Sequence, residues 1–158
     1  MIDHRFRRRP GWIWIYSGLY YPVIILTVVA TNSMRLFNYT AFSYLILLAL
    51  QMLFFIFYPV AVPEDWRPLA TPTSISDRFL QLVHRYDARS NCFPSMHVSV
   101  ATLTAFHLRA NTVFGSWSFL FPVLIGASAI MTKQHYLVDI PAGMLLGGFS
   151  YWLLRFIY

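Results

Sequence analysis

Residues 40–62 read TAFSYLILLALQMLFFIFYPVAV, 23 consecutive positions without a charged side chain. About 20 apolar residues suffice for a helix to cross the hydrocarbon core of a bilayer, so this stretch is long enough. The run before it, residues 11–31 (GWIWIYSGLYYPVIILTVVAT), is equally free of charge. Residues 110–132 carry none, and residues 136–154 carry only Asp139. Across the chain 58% of residues are hydrophobic and 11% charged, against roughly 25% charged in an average soluble domain. A soluble unit of 158 residues has no interior large enough to hide four such segments. The chain therefore reads as an all-α integral membrane protein, multi-pass and expected in the cell membrane.

The formal net charge of +6 comes from basic residues that flank apolar runs, notably Arg5, Arg7, Arg8 and Arg9 at the start. Cations in that position anchor a membrane protein against anionic head groups, and the pattern argues for membrane lipids, not nucleic acid, as partners. The apolar run behind the arginines is too long for a secretory leader, and no small-residue cleavage site follows it. The single cysteine, Cys92, cannot form an internal disulfide. Asn38-Tyr39-Thr40 matches a glycosylation sequon, a pattern too short to carry weight alone.

Outward from the two opening runs, the organisation reads as one membrane domain, residues 1–158. It is a bundle of about five transmembrane helices, over about 11–31, 40–62, 94–109, 117–132 and 136–156, with a polar active-site loop at 63–93. A polar turn from Asn32 to Asn38 joins the first two spans as an antiparallel hairpin. Pro59, Pro63, Pro68 and Pro72 close the second span and open the long loop. Pro94 is expected at the start of the third helix, since proline suits the first helical position. Gly143 and Gly147, one helical turn apart, form a small-residue pattern of the kind that lets helices approach closely.

If the spans alternate in direction, the end of the second, the start of the third and the start of the fifth share one face of the membrane. Those places hold Arg67, then Ser95 and His97, then Lys133, His135 and Asp139. Ionisable groups next to membrane segments are costly, so their convergence marks a candidate site. His135 and Asp139, four apart, would share a helix face. A carboxylate on one ring nitrogen leaves the other free as a nucleophile or base. His97 would sit in the first turn of a helix, where backbone N–H groups favour an anion. Arg67 offers a fork suited to phosphate oxygens, Lys133 a point charge and Ser95 a hydroxyl.

These parts compose a phosphoryl-transfer scheme. His135 attacks phosphorus to give a phosphohistidine while His97 protonates the departing alkoxide. Arg67, Lys133 and Ser95 stabilise charge on the equatorial oxygens. The scheme requires no metal and no cofactor. Each residue alone has a plainer role: His97 as a packed or capping histidine, Asp139 as a helix cap, Arg67 and Lys133 as interfacial anchors. His84 and His107 read as structural. Only the combination argues for a site.

At these same residues the sequence resembles a known superfamily. Pro94-Ser95-Met96-His97, within Asn91-Cys92-Phe93-Pro94-Ser95-Met96-His97, is similar to the second signature of the type 2 phosphatidic acid phosphatases and vanadium haloperoxidases. His135-Tyr136-Leu137-Val138-Asp139 is similar to the end of the third, with Ser128 where that motif begins, and Arg67-Pro68 to the end of the first. The resemblance, over about residues 58–148, implies a helical core with His135 as nucleophile, Asp139 as its partner and His97 as acid. It also implies phosphate contacts from Arg67 and Ser95, and a lipid phosphate as substrate. Two cations usual in those signatures are replaced here by Val60 and Ala129, and six spans are usual where five are read.

Cys-Phe-Pro-Ser and His-Tyr-x-x-Asp look like the branch containing inositol phosphorylceramide and sphingomyelin synthases, which move a phospho-head-group to an alcohol. Three functions follow: a lipid-phosphate phosphatase, a lipid phosphotransferase using the same histidines, or a catalytically silent membrane scaffold. Orientation is divided. Nine lysines and arginines (Arg5, Arg7, Arg8, Arg9, Arg67, Arg78, Arg85, Arg89 and Lys133) fall on the site face and three (Arg35, Arg109 and Arg155) on the other. The positive-inside rule therefore puts the site in the cytoplasm, whereas the resemblance implies an outward-facing site.

Overall fold

A computed structural model describes residue 3 and residues 6–67, 71–87 and 89–157. Arg5 of the basic cluster and Pro68 of the first signature lie outside them. Every regular element among the described residues is helical. A 3-10 turn at Pro10–Trp12 and a π-helical segment at Trp14–Leu19 lead into α1, Tyr20–Val29. There follow α2 (Met34–Phe57), α3 (Ile75–Tyr86), α4 (Met96–Asn111), α5 (Leu120–Met131) and α6 (Asp139–Ile157). Three helical runs are long and apolar enough to cross a membrane: Pro10–Val29, Met34–Phe57 and Asp139–Ile157. The chain is an all-helical membrane protein.

Local chemistry moves several boundaries from where composition put them. The expected polar turn at Asn32–Asn38 is shorter, with α2 already under way at Met34, because the Ser33 hydroxyl accepts from the Leu36 N–H at 3.2 Å and starts the helix there. That cap outweighs the polarity of Arg35 and Asn38. At the other end α2 stops at Phe57, ahead of Pro59, whose ring would clash with a continuing turn. The expected loop at 63–93 contains α3, a helix of 12 residues. Ser74 caps it by accepting from Asp77 N at 3.1 Å. Pro94 precedes α4 instead of opening it, since Ser95 is the cap residue and accepts from Val98 N.

The sixth helix corrects another expectation. It begins at Asp139, not at 136, so His135 lies in the turn before it. Lys133 takes a positive φ of 60°, and the Asp139 carboxylate accepts from Tyr136 N at 2.8 Å. Together they fold residues 132–138 into a compact turn that a continuing helix would have to unwind.

The polar helix α4 lies at the centre, with Val98, Ala101, Leu103 and Ala105 fully buried. One apolar cluster joins it to the first helical run, α3, α5 and α6 through Ile13, Tyr16, Leu80, Ile125 and Ile140. A second joins it to α2 and α6 through Leu47, Leu103, Leu146 and Tyr151. Outward, α2 exposes Leu45, Leu53, Ile56 and Phe57, side chains whose natural solvent is lipid. The tightest packing is α4 on α6. A Cβ added at Gly143 would stand 2.7 Å from the Ser95 carbonyl oxygen, and one at Gly147 2.2 Å from that of Ser99. These glycines bring the two backbones into contact, and Ser95 N donates to the Asp139 carbonyl at 3.2 Å. The starts of α4 and α6 are thereby held together, which places the histidines.

Candidate active site

His97, in the first turn of α4, and His135, in the turn before α6, line one cavity of about 200 Å³ with Arg67, Tyr16, Asp87 and Gln134. Three of the six residues singled out in the sequence therefore meet there. Asp139 stands directly behind His135. Its Oδ2 lies 3.3 Å from His135 Nδ1, and the Cys92 carbonyl oxygen lies closer, at 2.8 Å. Both are acceptors, so Nδ1 carries the hydrogen and Nε2 keeps its lone pair. Asp139 is 1% exposed, and its carboxylate sits at the positive end of α6, where the helix dipole favours it.

His97 Nδ1 is 2.9 Å from the Tyr16 hydroxyl, and the Tyr16 and Tyr20 rings flank the imidazole. A phenol can donate to Nδ1 of a neutral ring and accept from Nδ1–H of a charged one. The contact serves both protonation states of the ring.

Arg67 is pinned from two sides. Its Nη1 donates to the Asp87 carbonyl at 2.8 Å and its Nη2 to Gln134 Oε1, with Asp87 Oδ2 at 3.6 Å from Nη2. Burial lowers the pKa of this guanidinium and the Asp87 carboxylate opposes that shift; burial likewise raises the pKa of Asp87. Two donors in this wall, Arg67 Nε and Gln134 Nε2, are buried and have no hydrogen-bond partner among the described residues. An unsatisfied buried donor costs about 1–3 kcal/mol. Both donors belong to residues that line the histidine cavity.

Ser95 and Lys133 stand elsewhere. The Ser95 hydroxyl is fully buried and engaged as the cap of α4, and it does not line the cavity. Lys133 directs its ammonium to the Asp3 carbonyl oxygen at 2.8 Å and lies 4.5 Å from the Trp66 ring centre. Arg67 is thus the one cationic side chain, histidines aside, that lines the histidine cavity among the described residues. The two neutral positions noted in the sequence are apolar packing sites: Val60 rests against Val62, Trp66 and Cys92, and Ala129 is fully buried.

Tyr16, Asp87 and Gln134 were not singled out from the sequence. Gln134 had a signal, adjacency to His135, whereas Tyr16 and Asp87 reach the cavity only through the packing of the first helical run and α3. The Cys92 thiol, pushed up to about 11 by burial, stays protonated and contributes its carbonyl instead. His84 donates from Nε2 to the Thr132 carbonyl at 3.0 Å, tying α3 to the end of α5. His107, at the far end of α4, is enclosed by Thr40 and Ser43.

The sequence family described as the PAP2 superfamily matches residues 11–153. No curated protein and no solved structure matches the chain.

Proposed function

Because the chain belongs to the PAP2 superfamily, whose members are phosphoesterases and phosphotransferases, we propose that it is a membrane lipid-phosphate phosphatase working through a phosphohistidine. The observation that carries the reading is that His135 Nδ1 faces two acceptors, the Cys92 carbonyl and the Asp139 carboxylate. With Nδ1–H committed to Cys92 and Asp139, the Nε2 lone pair is left to attack phosphorus. As the N–P bond forms, the P–O ester bond breaks and the leaving oxygen takes a proton from His97. The ring of His135 becomes cationic, and Asp139 offsets that charge. His97 then takes a proton from water, the water oxygen bonds to phosphorus, the N–P bond breaks and His135 is restored. Arg67 and Gln134 supply the two open donors to the phosphoryl oxygens.

In this reading five helical segments within residues 1–158 cross the membrane: Pro10–Val29, α2, α4, Gly115–Met131 and α6. The 16 residues of α4 rise about 24 Å, shorter than the ~30 Å hydrocarbon core. With the polar histidine cavity at its start placed at the level of the head groups, the far end of α4 would stop about 6 Å short of the opposite interface. The cell membrane is the proposed location.

A second reading, transfer of a phospho-head-group to an alcohol by the same histidines, is favoured by the low positive charge of the cavity wall. It differs only in the acceptor that resolves the phosphohistidine. The deciding experiment incubates purified protein in detergent or liposomes with a panel of lipid phosphates, without divalent metal, and measures released phosphate. Release by the wild type that disappears in His135→Ala supports the phosphatase. No release, with head-group transfer that rises with added alcohol, supports the transferase. Neither activity leaves the silent scaffold.

A further inference from the structure

Beside the histidine cavity lies a wider recess of about 970 Å³, with Glu64, Arg67, Arg78, His84, Arg85 and Arg89 in its wall. Arg67 lines both spaces, so the two meet at that residue. Their chemistry differs. Neither His97 nor His135 reaches the wider recess, and four arginines stand in its wall with one carboxylate, that of Glu64.

Ion pairs already match part of that charge. Arg89 meets Glu64 at 2.5 Å, and Arg67 has Asp87 Oδ2 at 3.6 Å. Asp77, the neighbour of Arg78 in α3, is taken by Arg8. Arg78 and Arg85 are exposed and make no ion pair among the described residues. They stand seven residues apart in α3, about two helical turns, and so share one face of that helix. Two like charges on one face, with Arg67 across the recess, repel one another, and an anion between them relieves that repulsion.

The other faces of α3 fix the depth at which this pair sits. Leu80 is fully buried in the core, whereas Ile75, Leu82 and Tyr86 are exposed. At about 100° per residue those three form one apolar stripe, adjacent to the arginine stripe and away from Leu80. A helix with an exposed apolar stripe beside a basic one lies in the plane of the membrane surface, which holds its cations at the level of the head groups. The anion that meets Arg78 and Arg85 is therefore one present at the lipid–water boundary. Arginine's planar fork suits phosphate oxygens.

We infer that this recess holds a phosphate group outside the histidine cavity, between Arg78 and Arg85, supplied as free phosphate or as the head group of an anionic lipid. Free phosphate as the source rests on the phosphatase reading; the binding itself does not. The test follows the labelling of individual arginines by phenylglyoxal in the wild-type protein in neutral detergent, with the labelled peptides mapped by mass spectrometry. Labelling without additions is compared with labelling in inorganic phosphate, in phosphatidylglycerol, and in sodium chloride of matched ionic strength. Arg109, exposed at the far end of α4, is the reference. A site with a dissociation constant of about 1 mM is roughly nine-tenths filled at about 10 mM ligand, so labelling of Arg78 and Arg85 is expected to slow about tenfold while that of Arg109 is unchanged. Protection by inorganic phosphate supports a free-anion source, and protection by phosphatidylglycerol alone supports a lipid head group. Protection by neither, equal protection of Arg109, or the same protection by sodium chloride overturns the inference. His135→Ala is labelled in parallel. Protection retained there supports a site separate from the histidines, and protection lost there overturns it. No readout involves turnover, so failure of this inference and failure of the histidine reading are told apart.

Discussion

Replacing Gly147 by alanine tests whether contact between α4 and α6 sets the site. The added Cβ would lie 2.2 Å from the Ser99 carbonyl oxygen, about 1.2 Å inside ordinary contact at 3.4 Å. The obstructing atom belongs to the backbone of a fully buried helix turn, so no rotamer change relieves the overlap and α6 must move. Overpacking of this kind costs about 1–3 kcal/mol, offset by the roughly 0.5–1 kcal/mol that alanine gains over glycine inside a helix. A net loss of about 1–2 kcal/mol corresponds to a melting temperature lower by roughly 3–6 °C for a chain of this size. Activity should fall further, because α6 carries Asp139, and misplacing catalytic groups by about 1 Å can cost on the order of a hundredfold. Gly148→Ala is the internal control. Its Cβ would meet only the Phe106 ring at 3.5 Å, so it should melt at or above the wild type with activity retained. Thermal unfolding in detergent and phosphate release, measured on both variants, decide the matter. A Gly147→Ala protein as stable and active as Gly148→Ala would refute the argument.

Three further outcomes follow from the site. Asp139→Asn should lower kcat about 10–100-fold in the phosphate-release assay, less than a triad aspartate loses, because the Cys92 carbonyl still holds His135 Nδ1–H at 2.8 Å. Gln134→Leu removes one open donor and the acceptor for Arg67 Nη2. Hydrogen bonds to charged groups contribute about 1.5–3 kcal/mol, so kcat/KM should drop roughly 10–150-fold, while the melting temperature changes far less. His84 has its pKa lowered to about 4, chiefly by burial and then by Arg67. Its folded pKa lies below the unfolded value near 6.5, so the unfolded chain binds the extra proton and stability falls as pH drops from about 6.5 to 4. Melting curves across that range should show the fall, and His84→Gln should make it smaller.

How much of this was legible in the sequence depended on whether the cause was local. Uncharged runs gave the long helices, because a bilayer asks only for length and apolarity. Gly143 and Gly147 marked a close helix approach, because a missing Cβ is itself its cause, while the partner, α4, came only from the packing. Helix α3 was missed since its 12 residues include charges and fall short of a span, although Ser74 three positions before Asp77 was a readable start signal. Spacing also misled at His135 and Asp139. Four residues apart suggested one helix face, yet the carboxylate meets the ring by closing the turn that precedes the helix. Arg67, His97 and His135 were brought together as anticipated. Whether Ser95 and Lys133 would point into the cavity could not be read from their identity, since a cap and a cation–π contact claim them first. Tyr16 and Asp87 arrive from other elements and leave no mark near the motifs.

The electrostatics of the cavity bear on which lipid phosphate it can accept. The positive end of α6 is occupied by Asp139, which keeps that carboxylate available as acceptor for His135. The start of α4, at Met96 and His97, does face the cavity and contributes roughly half a positive charge. Arg67 adds one more, partly offset by Asp87 at 3.6 Å. Lys133 is directed at Asp3 and Trp66, and positions 60 and 129 carry no charge. In the first step His97 is cationic, as the proton it gives to the leaving oxygen requires. A terminal phosphate monoester brings about 1.5–2 negative charges at neutral pH, which Arg67, the helix start and the His97 cation together balance, whereas a phosphodiester brings one. Charge balance therefore fits the monoester, which should be turned over faster than a diester-linked head group of the same lipid. Paired assays at equal lipid concentration check this. Diester turnover at an equal or higher rate would refute the balance and favour the transferase reading.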